Sequence, residues 1–193
     1  GGRILYGVNL EDWEDQGSFV RLKIFGDYHF NTSDLVIATN GFAPEILPDI
    51  DVRAARNQVL VLRPQKATPV RGCFHYHKGY VYFRHLDELL LIGGGRHTDL
   101  DNEFTSEMNI NLQIQQYLLD FVAHHIFHDQ TFELVSQWPG ILGLGSKRKP
   151  IIQKISEHVV AAVRLSGIGI AIGTLVGNEA SELILNHHQK KNG

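Results

Sequence analysis

Apolar positions recur at short spacing through most of this chain, and only two stretches switch to a helical period. At the N-terminal end, Arg3–Val8 and Phe19–Phe25 are rich in apolar and β-branched residues and predict strands. Gly26-Asp27 predicts a turn, with a return strand beginning at His29-Phe30. Asp34-Leu-Val-Ile-Ala-Thr-Asn40 is a nearly continuous apolar run that closes on Asn40-Gly41. Such a run suits a strand buried on both faces, as in the sheet of an α/β unit.

The middle of the chain changes character. Asn57–Leu62, Val70–Phe74, Tyr80–Arg84 and Leu89–Ile92 are four short strand-like segments separated by turn residues and charges, which predicts an antiparallel sheet. Alternation in Tyr80-Val-Tyr-Phe-Arg84 puts Tyr80, Tyr82 and Arg84 on one face and Val81 and Phe83 on the other. Thr105 to about Ile126 predicts a helix, capped by Thr105 or Ser106 with Glu107 in its first turn. Its stripe is Ile110, Ile114, Tyr117, Leu118 and Phe121. Thr131–Trp138 predicts a strand, followed by the glycine-rich loop Pro139–Gly145 and the basic run Lys147–Lys149. His158–Leu165 reads as a buried strand and Ile168–Leu185 as a terminal helix, with a tail from His187 to Gly193 expected to fray.

Composition narrows the class without naming a function. The chain has 193 residues, 43% hydrophobic and 20% charged, an ordinary globular balance. A net charge of −3 gives no general pull toward nucleic acid or an anionic membrane. No apolar run approaches the roughly 20 residues that span a bilayer. The single cysteine, Cys73, rules out a disulfide within the chain and fits a reducing compartment, so a cytoplasmic location is expected. The only methionine is Met108, and the absence of an initiator residue leads us to expect a piece of a longer protein.

The chemistry concentrates near the end. Val159-Val-Ala-Ala-Val-Arg-Leu165 runs into Ser166-Gly-Ile-Gly-Ile-Ala-Ile-Gly173, and a helix follows. Glycines admit positive φ and close backbone approach, and the helix start offers free N–H groups and partial positive charge. This turn either receives an anion or electron-rich carbonyl or merely lets the strand and helix pack closely. Its G-x-G-x-x-x-G spacing differs from the dinucleotide fingerprint. It is therefore expected to be a late element reaching a cofactor held mainly elsewhere. Ala38-Thr-Asn-Gly-Phe42 lies where ligands collect in open α/β sheets, beyond a strand's carboxyl end, though Asn-Gly is also a simple turn. His124 and His128 share a helix face, but no HExxH or paired cysteines accompany them, and no metal site is expected.

Taken in order, Asp34-Leu-Val-Ile-Ala-Thr-Asn-Gly-Phe42, Arg56-Asn-Gln-Val-Leu-Val-Leu62, Leu91-Ile-Gly-Gly-Gly-Arg96, Trp138-Pro-Gly140, Lys149-Pro-Ile-Ile152 and Ser166-Gly-Ile-Gly169 resemble the D-amino-acid oxidase, glycine oxidase and sarcosine oxidase superfamily of FAD enzymes. The resemblance implies an α+β chain. Residues 1–52 would be strands of an incomplete FAD-binding α/β domain. Residues 53–136 would be a substrate domain with an antiparallel or mixed sheet and a packed helix. Residues 137–193 would return to the FAD domain with its terminal helix. It implies FAD beside Asn40, Gly41, Gly167, Ile168, Gly169 and Ile170. It implies a small amine or amino-acid substrate, oxidised by hydride transfer to flavin N5 and then hydrolysis of the imine. Arg84, Arg96 and Tyr82 are the candidate substrate contacts. The catalytic residues stay open. Ile141 and Leu142 stand where relatives often carry a carboxylate-binding arginine, so Arg84 or Arg96 would have to supply that charge. The family's N-terminal FAD-gripping segment is missing from these residues, and the chain alone is expected to be inactive. A hydroxy-acid flavoenzyme and a non-catalytic ligand-binding or interaction module remain the alternatives.

Overall fold

A computed structural model describes the backbone of residues 2–191 and the side chains of residues 2–186. The first strands are β1 (Leu10–Asp15), β2 (Val20–Ile24), β3 (Tyr28–Thr32) and β4 (Leu35–Ile37). Then come β5 (Arg53–Pro64), β6 (Cys73–Tyr76), β7 (Val81–Leu86), β8 (Leu89–Gly94) and helix α1 (Leu112–His125). The chain finishes with β9 (Phe132–Leu144), β10 (Ile151–Lys154), β11 (Val159–Val163) and helix α2 (Gly169–Lys191). The fold class is α+β, with three separate sheets and no closed barrel among the described residues. The chain divides into two compact units, residues 1–53 with 143–193, and residues 54–142.

In the first unit, β1, β2 and β3 form an antiparallel meander with Trp13 opposite Leu22 and Leu22 opposite Phe30. A second sheet has the order β10-β11-β4, with β11 parallel to β4 and antiparallel to β10. All five residues of β11 are buried, because this central strand is covered on both faces. Val159 and Ala161 pack with Val20, Ile37 and Leu47, whereas Val160 and Ala162 pack with Val176 and Ala180 of α2. That alternation is the period-2 geometry of a strand between two layers.

The second unit is a five-stranded sheet of order β6-β7-β8-β5-β9 with α1 on one face. Leu60, Leu62, Val81, Leu90 and Ile92 meet Ile114, Leu118, Phe121 and Val122 of the helix. Beside this apolar core lies a buried ion pair. Arg56 donates to Glu103 Oε1 through Nη2 at 2.6 Å and through Nε at 3.1 Å. Asn111 donates to the same oxygen at 2.8 Å.

The structure departs from the sequence reading at several places. The run Asp34–Asn40 yields only the short strand Leu35–Ile37, and it is not covered on both faces, because Val36 is exposed. Residues 3–8 form no strand and are exposed, since nothing covers their apolar side chains in this unit; the strand pairing with β2 is Leu10–Asp15. The helix predicted from Thr105 begins only at Leu112. Asn111 caps it, accepting from the N–H groups of Gln113 and Ile114, so Ile110 and Glu107 precede the helix. Thr105 instead uses its hydroxyl on Glu107 N, which holds an extended segment. The glycine-rich stretch from Pro139 is not a loop but the second half of β9, which runs to Leu144. The predicted fraying tail continues α2 as far as Lys191, and its last two residues lie outside the described residues. No helix among the described residues is long and apolar enough to cross a membrane.

Leu118 is fully buried and Leu112, on the same helix, is 77% exposed. Leu118→Ala should destabilise by about 2–5 kcal/mol, and Leu112→Ala should stay within about 0.5 kcal/mol of the parent. Urea denaturation of both variants checks the assigned face of α1; equal losses would contradict it.

Candidate cofactor site at the turn between β11 and α2

The carboxyl ends of two parallel strands lie side by side in the first unit. β4 leads into a 3-10 turn over Asn40–Glu45, and β11 leads into residues 164–168 before α2. This is where open α/β sheets place ligands. The second turn is strained. Arg164 has φ 63°, Ser166 φ 52° and Gly167 φ 84°. For the two non-glycine residues a left-handed backbone costs roughly 1–3 kcal/mol each.

A set of hydrogen bonds holds that shape. Leu165 N–H donates to Asn40 Oδ1 at 3.0 Å, and Ser166 N–H donates to Gly143 O at 3.1 Å. The Arg164 guanidinium is buried. It donates to Lys149 O at 2.8 Å and Asp51 O at 3.2 Å, and pairs with the Asp51 carboxylate. Asp51 also accepts from Ser146, from N–H at 3.0 Å and from the hydroxyl at 2.5 Å. The Ser146 hydrogen bonds, then the Arg164 charge, hold the Asp51 carboxyl below the usual carboxylate range. Close packing explains two glycines here. A Cβ at Gly143 would sit 2.4 Å from Asn40 Oδ1, and one at Gly145 would sit 2.4 Å from Asp51 O.

The turn presents an uncommon surface. Ile168 is 53% exposed and Ile170 fully exposed, although both are apolar. The N–H groups of Gly169 and Ile170 open α2 and carry the positive end of its dipole, whereas those of Ala171 and Ile172 already reach Ile168 O at 3.0 and 3.3 Å. Exposed aliphatic side chains beside free amides fit a flat heteroaromatic ring with carbonyl oxygens at its edge. The residues present therefore suit the pyrimidine side of a flavin. Asn40 contributes by bracing the turn from β4, with its own φ at 49°, and Gly41 is buried beside it.

The three candidate substrate contacts all lie in the second unit, and the structure separates their roles. Tyr82 on β7 accepts a hydrogen bond from Asn57 Nδ2 at 3.3 Å. Its hydroxyl fits only because Gly93 has no side chain, since a Cβ there would lie 2.4 Å away. Burial pushes the Tyr82 phenol above its ordinary range, with the Asn57 bond opposing. Arg84, two residues along the same strand face, is exposed and donates only to the neighbouring His85 O at 3.4 Å. Arg96 lies apart, in the turn Arg96–Thr98 that follows β8. Sequence reasoning missed Arg164, Asp51, Ser146 and Gly143 as parts of the site. The one available signal was an arginine ending an otherwise apolar strand.

Comparison with known proteins bears on these features. A family model described as FAD dependent oxidoreductase (DAO) matches residues 1–183. No curated protein matches. Among solved structures, glycine oxidase from Geobacillus kaustophilus is 18% identical with a TM-score of 0.75, covering 93% of this chain and 48% of that one. L-proline dehydrogenase from P. horikoshii is 17% identical with a TM-score of 0.71, covering 92% and 49%. Glycine oxidase from Bacillus cereus is 15% identical with a TM-score of 0.70, covering 93% and 50%. The chain thus spans about half the length of the solved structures it matches.

The Asp51 carboxyl gives a pH test of the bracing. Its folded pKa lies below the unfolded value of about 3.9. The stability it adds is therefore present above about pH 4 and is lost as pH falls through the lower folded value. Melting temperature against pH should show that acid limb in the parent and a flatter one in Asp51→Asn; identical profiles would refute the assignment.

Proposed function

Because the chain belongs to the DAO family of FAD-dependent oxidoreductases, we propose that its β11–α2 turn meets the flavin ring of FAD and that the whole protein oxidises an amine or amino acid. The observation that carries this reading is the braced turn itself, with exposed Ile168 and Ile170 beside the free amides of a helix start. Bound FAD would supply the hydride acceptor for the carbon beside the substrate amine. The chain's own part is positional and electrostatic. Gly167, Ile168, Gly169 and Ile170 offer one ring edge a flat apolar seat, and the amides that open α2 favour negative charge there. Asn40 and Gly41 hold the neighbouring strand end against the turn.

On the same reading, residues 1–52 and 137–193 serve the cofactor, and residues 53–136 carry the substrate, with Tyr82, Arg84 and Arg96 as its contacts. No side-chain acid or base from this stretch is assigned to the proton transfers. The 193 residues alone would not turn over substrate, because the remaining half of the family's length is needed to hold FAD. The exposed, unpaired thiol of Cys73 supports a reducing, cytoplasmic setting within this proposal.

The test is anaerobic spectroscopy on the full-length protein. The purified protein should be yellow, and amines or amino acids should bleach it. Gly167→Val forces a β-branched side chain onto a left-handed backbone and should weaken FAD binding by about tenfold or more. A colourless protein that takes up no FAD, or one bleached by hydroxy acids alone, would contradict the reading.

A further inference from the structure

In the five-stranded sheet, β8 lies between β7 and β5. Gly93 of β8 stands opposite Tyr82 of β7 on one side and Val59 of β5 on the other. Val81 and Phe83 pack in the core with α1, so alternation puts Tyr82 on the face away from that helix. Its ring lies across β8, because a Cβ at Gly93 would meet Tyr82 Oη and Cζ. The hydroxyl thereby reaches Asn57, which shares a face of β5 with Val59, and accepts from Asn57 Nδ2 at 3.3 Å. His75 stands opposite Tyr82 on β6, with ring centroids 6.5 Å apart, and flanks the ring on its other side.

The bond between Asn57 and Tyr82 has a direction. Asn57 uses its Nδ2 on Tyr82, which leaves its Oδ1 as an acceptor. Tyr82 Oη receives that bond, which leaves its own proton for a third group. Among the described residues, neither Asn57 Oδ1 nor the Tyr82 O–H proton has a further partner. Both residues are half-buried. Burial pushes the phenol above its ordinary range, so it keeps its proton at neutral pH. The pair therefore presents one donor and one acceptor on neighbouring side chains, and no charge.

We propose that Asn57 is a specificity-determining residue, and that Asn57 and Tyr82 together clamp a neutral carboxamide. Tyr82 donates to the carboxamide oxygen, and Asn57 Oδ1 accepts from the carboxamide N–H. The inference rests on the reading of residues 53–136 as the substrate side, and it narrows the substrate to an amine that also bears a carboxamide. A carboxylate offers acceptors only, so one of its oxygens would face Asn57 Oδ1 with no proton between them. An alkyl group would leave both clamp atoms unpaired. The clamp thus selects by mismatch as well as by match. The exposed Arg84, two residues along the same face, favours a carboxylate instead, and the experiment sets the two against each other.

Carbon-13 NMR of the full-length protein, labelled at tyrosine Cζ, gives the test, with the Tyr82 signal identified by its loss in Tyr82→Phe. The probes are propionamide and propionate. Propionamide should shift the Tyr82 signal saturably and bind at least about tenfold more tightly than propionate. Asn57→Asp puts an acceptor where Nδ2 stood, so the Tyr82 proton turns toward it. In that variant the phenol should titrate at higher pH than in the parent, and the preference for propionamide should disappear. An Asn57 that served the fold alone would leave the preference intact. Asn57→Leu serves where Asn57→Asp does not fold, and it too should lose the preference. Tighter binding of propionate, no saturation with propionamide, or an unchanged preference in the Asn57 variants would overturn the proposal. The readout does not use flavin colour, so a colourless protein whose Tyr82 signal still saturates with propionamide would support the clamp while contradicting the flavin reading.

Discussion

The ion pair between buried Arg164 and Asp51 is the constraint on which the cofactor side of this chain depends. Arg164 ends the central strand of its sheet with a left-handed backbone, a conformation that the strand itself does not favour. The guanidinium compensates by gathering Lys149 O, Asp51 O and the Asp51 carboxylate around one side chain. Asp51 in turn fixes Ser146 just beyond the end of β9. Removing Asp51 would leave the buried Arg164 guanidinium without its counter-charge, and removing Arg164 would leave Lys149 O and Asp51 O without their donor. The Gly167–Ile170 segment then inherits its direction from a network, not from its own glycines.

The second unit handles its buried polar groups differently. Arg56 and Asn111 both donate to Glu103 Oε1 in an enclosed site beside the apolar core, and so fix the extended segment that leads into α1, while Glu103 Oε2 is buried without a partner. Arg96 rests against the rings of Tyr80 and Phe104, with the Glu103 charge acting on it. Asn57 and the bare backbone of Gly93 hold Tyr82 in place while leaving it on a strand face.

Much of this was legible along the chain because periodicity reports burial directly. The alternation in Tyr80–Arg84 put Val81 and Phe83 together on one face, and both pack in the core. The apolar run His158–Leu165 announced a buried strand, and the alternate residues of β11 meet two different layers, whereas Asp34–Asn40, expected to be buried on both faces, leaves Val36 exposed. Failures came where a tertiary partner decided the outcome. Thr105 had the chemistry of a helix cap, but Asn111 took that role while its amide engaged Asp99 and Glu103. Pro139–Gly145 had the composition of a loop, but Gly143 and Gly145 serve close approach to Asn40, Asp51 and Arg164. Long-range bonds of this kind leave no local pattern, so the bracing of the turn was invisible until the two strand ends were seen together.

Amide hydrogen exchange of the full-length protein, with and without FAD, tests the central claim most directly. If the β11–α2 turn seats the flavin ring, the amides of Gly169 and Ile170 become strongly protected when FAD binds, while the far end of α2 changes little. Exchange at those amides that stays the same in the FAD-loaded protein would contradict the account.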